Sequence, residues 1–362
     1  MTEKHSYSVG LISGDGIGPE IVDSTVRVLS EVERAFSIEF RLRPIDAGAA
    51  TFVRTGRSIS DDGLEVVVSS DATLKGPVGL PDVRHADGTE AGLLGGELRN
   101  RLDLFANLRP IRRLPGVAAP LGSADIDYLI VRENTEGLYA SRGKGVGNDW
   151  VMTDTLLVTR PGTERIVARA FEEARHRVGA PGDGVRRVTC VDKANVLRSM
   201  YFFRQIFLEV AAGYPDVQAE VLHADAAAQA LVLEPSHFDV LVMENLLGDI
   251  LSDLGGATVG GIAGCPSGNI GENCAYFEPI HGSAPSIGGT NTANPRGQML
   301  AAAMMLDYLG ETAAGDAVRG AVDGAFGDGS VEMLPDGRVV GGADSVADRV
   351  VERLAVRSPP RA

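Results

Sequence analysis

The sequence predicts an α/β chain, and three observations carry that prediction. Short apolar runs alternate with amphipathic helical runs from end to end. The first apolar run, residues 8–13, passes through the turn Gly14-Asp15-Gly16-Ile17-Gly18 into a helical segment with Pro19 near its first turn. The chain has 362 residues, 44% of them hydrophobic, enough for two domains or for one sheet elaborated into two lobes. No internal repeat, low-complexity tract or linker interrupts it.

Taken in order, the first helix runs to Arg34. Its glycine turn is spaced GxGxG rather than GxGxxG, so it misses the Rossmann fingerprint by one residue and also reads as a plain strand-to-helix turn. Residues 64–70 (LEVVVSS) are a second buried-strand candidate, ending in a loop with Thr73 where a parallel strand would meet a ligand. Residues 143–149 form a glycine-rich turn before an alternating strand, 151–159. A helix follows over 163–178, capped by Thr163. Strands at 185–191, 217–223 and 238–243 deliver Lys193, Asp225 and a leucine-rich helix beginning at Asn245. Residues 259–271 read as a glycine-rich loop, 298–309 as a core helix, and the remainder as helix, glycine-rich loop (324–342), helix (345–356) and basic tail.

Composition narrows the function. A net charge of −15 argues against nucleic acid or an anionic membrane as partner. No apolar run reaches the roughly 20 residues of a membrane span, and residues 1–10 lack signal-peptide character, so the expected compartment is the cytoplasm. Cys190, Cys265 and Cys274 make no CxxC pattern, and the six histidines make no HExxH. The cysteines are read as reduced, buried thiols.

Four groups of residues carry chemistry. Asn245, Asp249 and Asp253 follow at i, i+4 and i+8, one stripe of the leucine-rich helix. Two acids so placed repel by a few tenths of a kcal/mol unless neutralised, and a hard cation such as Mg2+ or Mn2+ would do that; a solvated helix face is the alternative. Arg99, Arg101, Arg109 and Arg132 cluster in an acidic chain, where their planar forks suit a carboxylate, although surface ion pairs would also use them. Lys193 at a strand end reads as a proton carrier or as a surface lysine. The small-residue stretch from Glu278 through His281, Gly282, Ser283, Ala284 and Pro285 to Asn294 could follow a phosphate-bearing ligand with its backbone amides.

The ordered motifs GDGIGPE, LxxRxxLDLxANLRP, VRENTEGLY, KANVL, the Asp225 strand end, NLLGDILSDL and FEPIHGSAP resemble the β-decarboxylating dehydrogenases, the family of isopropylmalate, isocitrate, homoisocitrate and tartrate dehydrogenases. The resemblance covers residues 8 to about 310. It implies a two-lobed α/β fold with a mixed central sheet, not a Rossmann fold, with residues 1–107 plus 264–362 forming a cofactor-side domain. Residues 108–263 would form the dimerisation and metal-site domain, including a clasp at about 143–159. By the same resemblance Asp225, Asp249 and Asp253 hold Mg2+ or Mn2+, and Arg99, Arg109 and Arg132 grip the substrate's C3 carboxylate. Lys193 assists loss of the C2 hydroxyl proton, and Tyr139 reprotonates the carbon after CO2 leaves. Thr73, Glu278, His281, Gly282, Ser283, Ala284, Pro285, Ser286 and Asn294 would line the NAD site. The implied assembly is a homodimer with shared active sites, in which Lys193 and Asp225 enter from the neighbouring chain.

The chain departs from the family at two places. Where NAD-using members carry Asp after HGSAP, this chain has Ser286, followed by Ile287 where NADP-using isocitrate enzymes often carry Tyr after Lys. The acid is gone without a replacing cation, which favours NAD; Arg338 would favour NADP if its loop folded back. Before Arg99, the segment Gly92-Leu93-Leu94-Gly95-Gly96 has Leu93 and Gly95 where isocitrate enzymes place Ser and Asn, and Gly92, Gly95 and Gly96 replace the Glu and paired leucines of isopropylmalate enzymes, leaving room for a larger C3 substituent. The expected activity is therefore NAD- and metal-dependent oxidative decarboxylation of a 3-substituted (2R)-malate. Alternatives are a tartrate or D-malate dehydrogenase, a catalytically silent dimeric homologue, and a metal-dependent hydrolase, which would leave the HGSAP loop without a role.

Overall fold

Strand His5–Ile12 leads into a turn whose Gly14 and Gly16 adopt φ of 78° and 58°. A side chain at either place would collide with backbone, since a Cβ on Gly14 would lie 2.1 Å from the Pro77 carbonyl and one on Gly16 2.0 Å from that of Ser283. The computed structural model describes residues 5–86 and 88–357, so the basic tail at 358–362 lies outside it. The chain divides into two compact units: one comprises the stretch to Leu102, Leu114–Ala118 and the stretch from Gly260, the other Asp103–Arg113 and Ala119–Val259. The expected division at 107/108 would cut strand Ala106–Arg112, which pairs along its whole length with Asp127–Glu133; ladder bonds keep the strand in one unit.

In the first unit the strands run Ile38–Pro44, His5–Ile12, Ala72–Lys75, Ala275–Pro279 and Pro266–Ile270, parallel except for the last pair. In the second they run Ala106–Arg112, Asp127–Glu133, Val240–Met243, Arg187–Asp192 and Gln218–His223, antiparallel only in the first pair. An antiparallel pair in each set distinguishes this mixed arrangement from a Rossmann sheet. In the second unit four parallel strands place their carboxyl ends on one edge, so Arg132, Lys193, His223 and Glu244 emerge together there. A separate ribbon, Val146–Asn148 with Val151–Thr153, exposes all six residues and leaves Trp150 96% exposed at its turn. No helix among the described residues is long and apolar enough to cross a membrane.

Several sequence expectations change. Residues 64–70 are not a strand: helix Asp61–Val68 covers most of them, because Ser60 caps it by accepting from the Gly63 amide and Asp61 and Asp62 favour the positive helix start. The valine run is thereby wrapped around a helix, with Val67 buried and Val68 exposed. The next strand is Ala72–Lys75. The strand expected over 151–159 ends at Thr153, and Thr159, not Thr163, caps helix Arg160–His176 by accepting from Gly162 N. The supposed loop at 259–271 contains the fully buried strand Pro266–Ile270, held by its ladder to Ala275–Pro279 despite poor intrinsic β-propensity. The last helix begins at Gly342.

The first strand is tied to the start of helix Thr312–Gly327 by Tyr7, whose hydroxyl donates to Leu309 O at 3.1 Å and Glu311 Oε1 at 2.8 Å. Burial, then Glu311, raises its pKa to about 12. A raised folded-state pKa gives stability present below the unfolded value and lost as pH rises through the folded one. Tyr7→Phe is expected to cost about 1 kcal/mol near neutral pH. The melting-temperature gap to wild type should close between pH 10 and about 12.

Candidate active site

Helix Asn245–Thr258 begins where strand Val240–Met243 ends, and the Glu244 carboxylate caps it by accepting from Leu246 N at 3.0 Å and Leu247 N at 2.8 Å. The cap fixes the helix register, so the stripe read from sequence is real: Asn245, Asp249 and Asp253 face one way. Arg132 lies along that stripe, only 1% exposed, donating from Nε (3.0 Å) and Nη2 (2.7 Å) to Asn245 Oδ1 and from Nη1 to Asp249 Oδ1. Gly248 permits this approach, since a Cβ there would fall 2.5 Å from Arg132 Cγ. Arg109 approaches the same acid, with Nη1 3.3 Å from Asp249 Oδ1 and 4.0 Å from Asp253 Oδ1. It is aimed by Asn107 Oδ1 at 2.6 Å and Ser252 Oγ at 2.5 Å. Tyr139 completes the group, its hydroxyl donating to Asp249 Oδ2 at 2.9 Å with Arg132 5.6 Å from its ring centre.

The electrostatics follow from this packing. Burial first, and then Asp249, raise the Tyr139 pKa, so the phenol keeps its proton. Burial also raises Asp253, outweighing Arg109, and Asp249 adds repulsion. A carboxylate that the protein leaves under-compensated gains most from a bound cation, and two hard oxygen donors one helical turn apart suit Mg2+ or Mn2+. Asp225 is not part of this pair: no cluster of three metal-ligating side chains forms among the described residues. Asp225 instead meets Lys193 at 2.5 Å, which with its own backbone holds the carboxyl below the usual range. Within one chain these two residues form a separate pair, and the expectation that they serve a neighbouring chain concerns a second copy.

The first unit carries the remaining predicted residues. Arg99 sits in a π-helical turn, Gly96–Asn100, and donates to Tyr276 OH at 3.0 Å and Glu278 Oε1 at 3.3 Å. Sequence reading missed this turn, and it missed Lys75, a nearly buried lysine at a strand's carboxyl end whose Nζ donates to Glu278. The only signal in sequence was a lone lysine following apolar residues in a chain poor in lysine; its burial and its partner come from the fold. Asn269 donates to the same carboxylate at 3.1 Å. Gly92 does not widen the wall: with φ of 80°, its Cβ would lie 2.3 Å from Ala49 Cα, so glycine is needed there for close packing.

The glycine turn at 14–18 is an internal hub rather than a phosphate cradle. Asp15 N donates to Pro77 O, Ile17 N to Ser283 O and Gly18 N to Asp15 O. The Asp15 carboxylate takes the amides of Ala49, Ala50 and Gly79 at 2.8–2.9 Å. The hub thus anchors Ser283, whose hydroxyl donates to Gly79 O. Nearby, His281 Nε2 is buried without a partner among the described residues, while a Cβ on Gly282 would meet open space. An orphaned donor-acceptor beside an open glycine fits a nucleotide running along His281–Pro285. Ala284 is left-handed, and Pro285 and Ser286 are exposed. One of the expected cofactor residues keeps an unused hydrogen-bonding atom and another is otherwise engaged. Thr73 is fully buried within the sheet, between strands that flank it on both sides, and its hydroxyl has no hydrogen-bond partner among the described residues. Asn294 donates to Gly337 O at 3.0 Å and accepts from Arg296 N at 3.1 Å, a loop-fastening role. That contact, with Val339 N on Thr292 O, folds the Arg338 loop back onto Thr292–Asn294, where Arg338 pairs with Asp336 at 2.7 Å.

The family model for isocitrate/isopropylmalate dehydrogenase matches residues 8–333. The chain belongs to that family. Among curated relatives, the 3-isopropylmalate/3-methylmalate dehydrogenase of Methanocaldococcus jannaschii is 40% identical over 321 residues, 88% of this chain and 90% of that one. The 3-isopropylmalate dehydrogenase of Aquifex aeolicus is 36% identical over 363 residues, 96% and 97% of the two chains. Among solved structures, isocitrate dehydrogenase from Methylococcus capsulatus superposes with a TM-score of 0.85 at 35% identity, covering 96% of this chain and 99% of that one. A β-decarboxylating dehydrogenase from Thermococcus kodakarensis gives 0.79 at 38%, covering 97% and 96%. The chain is thus a dehydrogenase with the isocitrate/isopropylmalate dehydrogenase-like fold. Of the residues that hold this cluster in shape, sequence reading gave no chemical role to Glu244, Asn107 and Ser252, and read Asn245 only as part of the acidic stripe.

Proposed function

We propose that this chain carries out NAD- and divalent-metal-dependent oxidative decarboxylation of a 3-substituted (2R)-malate, as a homodimer. The observation that carries the reading is the convergence of Arg109, Arg132 and Tyr139 on Asp249, because it puts carboxylate-binding forks, an acid held protonated and an oxygen ligand within hydrogen-bonding range of one another. Asp249, Asp253 and a partner's copy of Asp225 would hold the divalent cation, and when bound it would supply Lewis-acid stabilisation of charge on the substrate oxygens while the nicotinamide coenzyme would supply the hydride acceptor. Arg109 and Arg132, with Arg99, bind the carboxylate on C3 by two-point contact. Lys193 receives the C2 hydroxyl proton, and Tyr139 supplies a proton to the carbon that loses carboxylate. The exposed ribbon at Val146–Thr153, with Trp150, is read as the clasp between copies, since a monomer gains nothing by leaving such residues in water.

NAD is the favoured coenzyme because Asp336 already neutralises Arg338. The substrate is a malate with a predominantly apolar C3 group, in keeping with the isopropylmalate and methylmalate in the names of the curated relatives. The test is NADH and NADPH absorbance with Mn2+ and a panel of 3-substituted malates, with and without chelator. Turnover that stops on chelation is expected. Turnover surviving chelation would remove the metal from the reading, and silence on every 2-hydroxy diacid would make the chain a non-catalytic member. Preference for isocitrate with NADP would overturn the substrate and coenzyme assignments together.

A further inference from the structure

Lys193 is 33% exposed and Asp225 71%. An ion pair so open is screened by water and does not by itself hold two side chains in one geometry. Beneath it lies a buried network that does. Asp192, the last residue of strand Arg187–Asp192, is wholly buried, and both its oxygens are satisfied: Arg204 donates Nε to Oδ2 and Nη2 to Oδ1, each at 2.7 Å, and Ala194 N donates to Oδ1 at 2.8 Å. The Ala194 bond shapes the turn on which Lys193 stands. Arg204 Nη2 also lies 3.2 Å from His223 Nδ1, which must accept because a guanidinium only donates. His223 ends strand Gln218–His223 and precedes the helix whose first turn carries Asp225. The links therefore close on themselves: Lys193 to Asp192 along the chain, Asp192 to Arg204, Arg204 to His223, His223 to Asp225 two residues on, and Asp225 back to Lys193 at 2.5 Å.

We propose that Arg204, gripped by Asp192, is the positioning residue that sets Lys193 against Asp225 for the reaction. This rests on the function proposed above. Arg204 touches no substrate; it acts by fixing two turns from different strands to one guanidinium plane, which lysine's single ammonium cannot reproduce.

The test uses full-length Arg204→Ala, Arg204→Lys and Asp192→Asn. The first readout needs no substrate. The chain has four lysines, and Lys144 is exposed, so reductive methylation followed by peptide mass spectrometry gives the reactivity of Lys193 relative to Lys144. Methylation at Lys193 should rise severalfold in Arg204→Ala as its ammonium loses a fixed partner. The second readout is turnover: kcat is expected to fall about 100-fold, the effect of roughly 1 Å of misplacement, with the KM for NAD little changed. Millimolar guanidinium should restore much of that loss in Arg204→Ala, Arg204→Lys should recover only part, and guanidinium should do nothing for Lys193→Ala. Unchanged Lys193 reactivity and kcat in a folded Arg204→Ala would overturn the proposal, as would a loss that tracks a fall in melting temperature and resists guanidinium. If Arg204→Ala does not fold, Asp192→Asn, which keeps shape and removes one charge, is judged by the same methylation and turnover outcomes. Should wild type itself turn nothing over, the function is wrong, while the methylation comparison still decides the positioning role.

Discussion

Asp249→Asn is expected to lower kcat by about 10³-fold at saturating Mn2+, the equivalent of about 4 kcal/mol of lost transition-state stabilisation. Asp249 acts in two ways. As a ligand, the residue changes from an anionic to a neutral oxygen on a hard cation. As a counter-ion, it serves Arg132 and Arg109, both nearly buried, and accepts the Tyr139 hydroxyl. Removing its charge leaves two guanidinium groups short of a partner, so the metal-free variant should also unfold more easily, by about 1–3 kcal/mol. Asp253→Asn separates the two. That carboxylate is 59% exposed and its nearest cation is 4.0 Å away. Because its folded-state pKa is raised, the ionised form opposes folding at neutral pH, and that penalty fades as pH falls through the folded-state pKa and is gone below the unfolded carboxylate value. Asp253→Asn should therefore lose turnover while keeping or slightly gaining melting temperature at pH 7, a gain that disappears in acid. Thermal melts in chelator beside Mn2+-supported rates check both variants. Wild-type turnover in Asp249→Asn would end the metal assignment.

How much of this was legible in the sequence differs from residue to residue. The stripe Asn245, Asp249 and Asp253 could be read because leucines at helical spacing and a strand just before them leave the register little freedom. That Asn245 is a clamp on Arg132, rather than the end of an acidic face, could not, since it depends on which strand lies beside Val240–Met243. Residues 66–68 misled because three valines favour a strand only when their neighbours do not cap a helix, and Ser60, Asp61 and Asp62 do. Pro266–Ile270 misled in the opposite sense: proline, serine, glycine and asparagine have low strand propensity, and the strand exists because its partners bury it. Lys75 and Glu278 are 203 positions apart, so their pairing appears only once strands Ala72–Lys75 and Ala275–Pro279 are side by side. Motif order located the chemistry; side-chain support came from contacts distant in sequence.

Gly248→Ala is the sharpest test of that support, because two effects of opposite sign meet at one atom. In a helix interior, alanine is favoured over glycine by about 1 kcal/mol, so an open position would be stabilised. Here the added Cβ would lie 2.5 Å from Arg132 Cγ, 2.7 Å from its Cβ and 3.1 Å from its Cδ. These are the stem atoms next to the backbone, which cannot swing aside as a side-chain tip can. Arg132 must therefore shift bodily, giving up its bonds to Asn245 Oδ1 and its contact with Asp249. Overpacking of this kind costs about 1–3 kcal/mol, which exceeds the helix gain, so the melting temperature should fall. Catalysis should suffer more: a guanidinium displaced by about 1 Å predicts roughly 100-fold lower kcat/KM, with KM for the hydroxy acid raised, because Arg132 is read as a substrate ligand. Gly248→Ser should behave like alanine or worse. If alanine at 248 instead raised the melting temperature and left KM for the hydroxy acid unchanged, Arg132 would have the slack that the packing denies it, and its role as a fixed carboxylate clamp would fail.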